Sequence, residues 1–377
     1  MKQEAAADYP TIRPHRLAIG FYSLDGGALV RSHKIEIDVN GESTDVPQLV
    51  GMERPDLILV NDEDLAYAKV RLDEASLEVA IENLAAISDP LARSIVWGSV
   101  WDATRDAETA ASDYVRLVLG NIATETESTT IRTTLSQLGT VARFYVDPAT
   151  RAATIETVGD GLWNLAKDAE AGSDAQFQFV KFFANLASTP AHAEALKSLL
   201  DGETTLEGLE IDTDLAWELL EGLVLVGAAG TTEIDAALAK DNTANGAQAA
   251  ARVRATIPTV DGKLAAWASV VDSDELPNSI VRQTSVGFGH VNDPAVLESL
   301  VEKYFASIEL VWKSRTHSIA ETIVVGLYPT ALASQELVDA TKAWLASAPD
   351  IPALRRLVVE NLAGVERALT VQARDKA

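Results

Sequence analysis

Between Pro55 and Asp73 the apolar residues of this chain change their period, and that change bounds the folds open to it. Before it lie short segments with strand spacing. Leu17 to Ser23 is one, and Lys34 to Val39 is another, where Ile35, Ile37 and Val39 alternate with charged neighbours. Asn40-Gly41 follows, two residues that tolerate the positive φ of a tight turn, so Ser43 to Val46 is predicted to return antiparallel. Leu57 to Val60 and Tyr67 to Leu72 supply further strands. Four or five such strands predict a small β-sandwich over residues 1–72.

Beyond Asp73 the spacing becomes helical, with Leu77, Ala80, Ile81, Leu84 and Ile87 on one face and Asp73 placed to cap the first turn. Pro90, Pro190, Pro294 and Pro352 sit where a helix starts and needs no amide donor. Gly120, Gly172, Gly202 and Gly230 mark ends or turns. Short turns between helices predict antiparallel pairs. Similar segments around Trp217, Trp267 and Trp312 return at the spacing of HEAT repeats. The expected fold is mainly α: an N-terminal β-sandwich, then a HEAT-like α-helical solenoid over residues 73–377. Stacked helix pairs of this kind leave a concave surface that binds or encloses a partner.

The charge balance narrows the partners. With 31 basic against 56 acidic residues the chain carries a formal charge of -25, which repels phosphate backbones and anionic lipid, so neither nucleic acid nor a membrane is expected. There is no cysteine, hence no disulfide and no thiolate chemistry. The first ten residues lack the apolar segment of a secretory signal, and Glu221 interrupts the apolar run from Leu219 to Val226. A cytoplasmic location is expected.

Motifs that carry chemistry do not emerge. A helical zinc site needs two histidines at i and i+4 around a glutamate, and His15, His33, His192, His290 and His317 are all too far apart for it. No catalytic and no metal-ligating residue is predicted in this chain. Phosphate loops and serine nucleophile elbows are missing too, and Gly287-Phe288-Gly289 is too short for the former. Trp97, Trp101 and Arg105 share a helix face that reads as packing against the sandwich or as a ligand platform. Phe177, Phe179, Phe182 and Phe183 read as buried helix. Lys303, Tyr304, Trp312, Arg315 and His317 mix cationic and aromatic groups in a composition suited to a peptide carboxylate, or to an ordinary amphipathic helix.

The strand-to-helix junction resembles that of the zinc aminopeptidases of the aminopeptidase N type. Their helical C-terminal domain opens with an asparagine, an aromatic and arginine-valine-x-tyrosine-aspartate, against which this chain sets Asn61, Tyr67, Lys69, Val70, Leu72 and Asp73. Lysine and leucine thus replace the usual arginine and tyrosine. The segments RPHRLAIGFYSLDGGALVRSHKIEIDVNGESTDVPQLVG, LYPTALASQELVDATKAWL and PALRRLVVENLAGVERAL are similar to the actinobacterial branch of that family. The family's H-E-x-x-H and G-x-M-E-N segments do not occur. The resemblance therefore implies the sandwich plus helical portion of a larger enzyme, beginning inside or just before the sandwich, with zinc held by a catalytic domain of the same polypeptide. It implies a region that caps the active-site cleft and encloses the peptide substrate, with Lys303, Tyr304, Arg315 and His317 as candidate cavity residues. A free-standing HEAT-like scaffold for a protein partner is the alternative. Separation from the partner domain exposes apolar surface, which predicts some self-association.

Overall fold

The computed structural model describes residues 1–377. Packing divides them into two units, Met1–Leu138 and Gly139–Ala377, so the strands share their unit with the first helices. No helix is long and apolar enough to cross a membrane.

In the first unit, β1 (His15–Asp25), β2 (Ala28–Val39) and β3 (Leu57–Asp62) form one antiparallel sheet in the order β2-β1-β3. This replaces the expected four- or five-stranded sandwich. The β1–β2 hairpin turns at Gly26-Gly27, with φ of 56° and 88°, and Asn40-Gly41 does not return the chain onto β2. Ser43 instead bridges Lys2, an added edge contact that alternation could not forecast. Tyr67 to Leu72 forms no strand: Tyr67 is fully exposed, and Lys69 and Arg71 reach Asp106 from irregular backbone. Alternation there arose from salt-bridge spacing, not from a pleat.

β1 is central and buried on both faces. Leu17, Ile19 and Phe21 pack with Ile37 and Val39 on one side. On the other, Tyr22 donates to Asp62 at 3.0 Å, and Asp62, with no exposed surface, pairs with Arg31 at 2.8 Å. The helices are α1 (Glu74–Asn83), α2 (Pro90–Arg105), α3 (Ala111–Asn121) and α4 (Ser128–Thr140). Asp73 caps α1 by accepting from the Ser76 amide, and Pro90 opens α2 as its spacing requires. Trp97 is buried within α2, which packs against β3, so of the two readings of its face the structural one holds for that indole.

The second unit is entirely helical. It contains α5 (Arg151–Asp168), α6 (Asp174–Asn185), α7 (Pro190–Leu200), α8 (Thr213–Leu225), α9 (Thr231–Lys240) and α10 (Ala244–Thr256). These are followed by α11 (Val260–Val271), α12 (Asn278–Gly289), α13 (Leu300–Ser314), α14 (His317–Gly326), α15 (Gln335–Ser347) and α16 (Pro352–Lys376). Helices two apart in sequence lie side by side: α6 on α8, α8 on α10, α10 on α12, α12 on α14 and α14 on α16. The intervening helices pack onto this row, as α7 does on α8 and α11 on α10 and α12. Where two row helices approach most closely, glycine makes room. A Cβ on Gly287 of α12 would lie 2.0 Å from the Arg252 carbonyl of α10, and one on Gly222 of α8 would lie 2.6 Å from the Ala184 carbonyl of α6. Ahead of α5, Val141–Tyr145 widens to a π-turn, a local irregularity that re-aims side chains.

Candidate functional site

The row of even-numbered helices carries an open pocket of about 270 Å³. It is lined by Lys181 of α6, Trp217, Glu218 and Glu221 of α8, Arg252 of α10 and Gln283 of α12. Because the residues come from that one row, the pocket belongs to the row and not to the layer of helices packed onto it.

Its floor is set by a carboxylate in an apolar helix. Glu221 stands among Leu219, Leu220, Leu223, Val224 and Leu225, and only 3% of its surface is exposed. A buried carboxylate survives only if its oxygens are supplied with donors and countercharge. Here Oε1 lies 2.7 Å from His290 Nδ1 and 3.2 Å from the Thr256 hydroxyl that donates to it. Oε2 lies 2.7 Å from Arg252 Nε, close enough for an ion pair though off the line of a good N–H bond. Arg252 also faces Glu218 at 3.7 Å, and Lys181 pairs with Glu218 at 2.9 Å. Lys181, Glu218, Arg252 and Glu221 thus alternate in sign from the open end of the pocket to its buried end.

His290 continues the chain inward. Its Nε2 is 2.8 Å from Arg143 Nη2 and 2.9 Å from the Asn185 carbonyl, which itself accepts from Arg143. Arg143 rides on the π-turn, which brings its guanidinium to this point. Burial lowers the His290 pKa, and the adjacent Arg143 charge lowers it further against the pull of Glu221. With the ring neutral, Nδ1 donates to Glu221 and Nε2 accepts from Arg143, while the Asn185 carbonyl beside Nε2 takes its hydrogen bond from Arg143. For Glu221, burial raises the carboxyl, but the His290 hydrogen bond and the Arg252 charge outweigh it and hold the pKa at about 2. Burial lowers Arg143 to about 10. A carboxylate so acidic is a weak proton acceptor, and His290 has both nitrogens occupied. The arrangement holds charges in place; its chemistry is binding and positioning.

Lys263 makes the frame rigid from behind. Fully buried on α11, it donates to the carbonyls of Ala255, Gly287 and His290, at and just beyond the C-terminal ends of α10 and α12 where the helix dipoles are negative. Burial still lowers its pKa, to about 7.

The residues singled out from sequence lie elsewhere. Lys303 is exposed on α13, and His317, also exposed, begins α14, 5.1 Å from the Trp312 ring. Arg315 is half-buried and donates to the carbonyls of Val271 and Ser273. Tyr304 has no exposed surface, and its hydroxyl donates to the Val324 carbonyl at 2.6 Å, so it is a core residue and offers nothing to a ligand. Sequence reasoning missed Glu221, Arg252, His290 and Arg143. One signal was present: a lone carboxylate within an apolar helix demands partners. No group of three or more histidine, aspartate or glutamate side chains is placed to hold a metal ion.

Comparison with known proteins accounts for the chain as a whole. The ERAP1-like C-terminal domain family matches residues 57–367. The chain is also 46% identical, over 369 residues, to an aminopeptidase N of Streptomyces lividans, a match that covers 98% of this chain but 43% of that protein's length. The strand-to-helix junction, the row of helices and these two matches agree: the chain belongs to the ERAP1-like C-terminal domain family and corresponds to the C-terminal portion of an aminopeptidase N.

Proposed function

We propose that this chain is the non-catalytic, substrate-enclosing region of a zinc-dependent aminopeptidase, and that the pocket on the even-numbered helices meets the peptide beyond its reacting end. The observation that carries the proposal is the 46% identity to an aminopeptidase N over a span that is 43% of that protein. In this reading the zinc and the catalytic groups belong to the rest of the polypeptide, which releases N-terminal residues from peptides, and the present region caps its cleft.

The helix row supports the reading. Side-by-side packing of helices two apart, with the intervening helices packed onto that row, is compatible with a HEAT-like solenoid, and we take the pocket to open on its concave face. Alternating charges at Lys181, Glu218, Arg252 and Glu221 suit a ligand with both signs along a polar backbone, as a peptide has. Lys303, Arg315 and His317 are proposed as a second contact for the far end of a longer peptide.

Two assays test this. The purified chain with zinc and an aminoacyl fluorogenic amide is expected to give no turnover; chain-dependent turnover overturns the non-catalytic reading. In the longer polypeptide, Arg252→Ala is expected to raise KM for long peptides while leaving single-residue amides unchanged. An equal change for both substrates overturns the assignment of the pocket to the distant part of the peptide.

A further inference from the structure

One pair of cations is not used by the pocket. Arg143 and Arg151 line, with Asn292 and Gly289, a separate and much smaller pocket, confined enough to hold a single small body. Arg143 commits Nη1 and Nη2 to Asn185 and His290, but its Nε is buried and has no acceptor. Arg151, the first residue of α5, has both Nε and Nη2 buried and both without an acceptor. Those two donors form one edge of the guanidinium and point in parallel, the edge that captures anions. Asp147 acts on Arg151 through its charge, without a hydrogen bond to it.

Two permanent cations therefore present three buried N–H groups at one cavity. Leaving such groups unpaired is costly, since they have given up water without gaining an acceptor. A water molecule would accept hydrogen bonds there yet leave the two guanidinium charges met only at a distance, by Asp147 and Glu221. A single anion supplies acceptor and countercharge together. Two groups oppose an anion: the Asp147 charge, and Asn292, whose Nδ2 donates to the Ala187 carbonyl and so leaves Oδ1 as the buried end without a partner. One carboxylate that makes no hydrogen bond to Arg151 and one amide dipole are together a weaker term than two full positive charges. We infer that the cavity between Arg143, Arg151 and Asn292 binds one small inorganic anion of halide size, chloride in ordinary salt.

The test is thermal unfolding of the 377-residue chain in sodium chloride, sodium bromide and sodium gluconate at equal ionic strength, gluconate being too large to enter. The midpoint is expected to be higher in both halides than in gluconate by about 2–4 °C. Arg151→Gln is expected to lose most of that difference, and Arg151→Lys to keep part of it. In crystals grown in bromide, an anomalous peak is expected between the two arginines of the unaltered protein, a readout that stands even if a variant fails to fold. Equal midpoints in the three salts, the same halide increment in Arg151→Gln, or a bromide map with no peak there would each overturn the assignment in favour of ordered water only.

Discussion

Each unit of this protein buries a glutamate against an arginine, and the two clusters are finished differently. In the first unit Glu125 and Arg93 are sealed, with 1% and 8% of their side chains exposed. Arg93 Nε donates to Glu125, its Nη1 donates to the carbonyls of Ile87 and Ser88, and the Trp97 indole donates to the same Glu125 oxygen. In the second unit Glu221 is as deeply buried, but its partner Arg252 keeps 25% of its side chain exposed on the 270 Å³ pocket. A sealed pair can only hold helices together. A pair with one member in solvent can exchange partners with a ligand, which is why the second cluster and not the first is the candidate site.

Removing one carboxylate from each cluster is the most forceful way to break this contrast. Glu125→Ala leaves Arg93 buried without countercharge and is expected to cost about 3–5 kcal/mol in urea unfolding. Glu221→Ala is expected to cost less, about 1–3 kcal/mol, because Arg252 can swing to Glu218 or to water. Equal losses would mean that Arg252 is as captive as Arg93 and that the pocket is a packing feature.

Acid separates the clusters further. Glu221 titrates at about 2 when folded against an ordinary 4.5, so the folded state holds its proton less tightly than the unfolded one. Its contribution is complete above pH 4.5 and is lost as pH falls toward 2. His290, lowered from 6.5, adds a loss that begins nearer neutrality, since the unfolded ring takes up its proton first. Unfolding free energies measured from pH 7 to 2 are expected to decline in both ranges, and Glu221→Gln to flatten the lower one. A variant that keeps the full decline below pH 4.5 shows that other carboxylates cause it.

A milder change tests whether the pocket depends on how closely its helices sit. Gly287→Ala forces a methyl group against the Arg252 carbonyl, so α10 and α12 must part. Overpacking of this kind is expected to cost about 1–3 kcal/mol and to weaken peptide binding at the pocket as Arg252 moves. Full stability in the variant would mean that the row tolerates a wider spacing.

What sequence made legible follows the range of the interactions. Local signals served well: Asp73 capping α1, and Pro90, Pro190 and Pro352 each opening a helix, depend on neighbours a few residues away. The hairpin shows the limit even of local rules, because Gly26-Gly27 and Asn40-Gly41 are both competent turns and only strand pairing chooses between them. The site lay beyond reach, since His290 is 69 residues from Glu221 and 105 from Asn185. Composition pointed instead to the cationic and aromatic cluster at Lys303 to His317, where Tyr304 proved to be core. Glu221 was visible only as an interruption in an apolar run, and the question it raised, which donors pay for its burial, is one that only the folded chain answers.

The smallest expected effect marks the exposed end of the scale. Lys69, where the family pattern has arginine, pairs with Asp106 at 2.6 Å, and Arg71 reaches the same oxygen at 2.6 Å. Lys69 is 55% exposed and Asp106 keeps Arg71 when it is gone, so Lys69→Ala is expected to cost at most about 0.5 kcal/mol. High salt sharpens the comparison, because screening acts on charges in water and hardly on charges out of it. In about 1 M sodium chloride the Lys69→Ala loss should vanish while the Glu125→Ala loss persists, with Glu221→Ala between them. That ordering follows only if exposure of the cation, and not the number of its hydrogen bonds, decides how freely a buried carboxylate can trade its partner for a ligand.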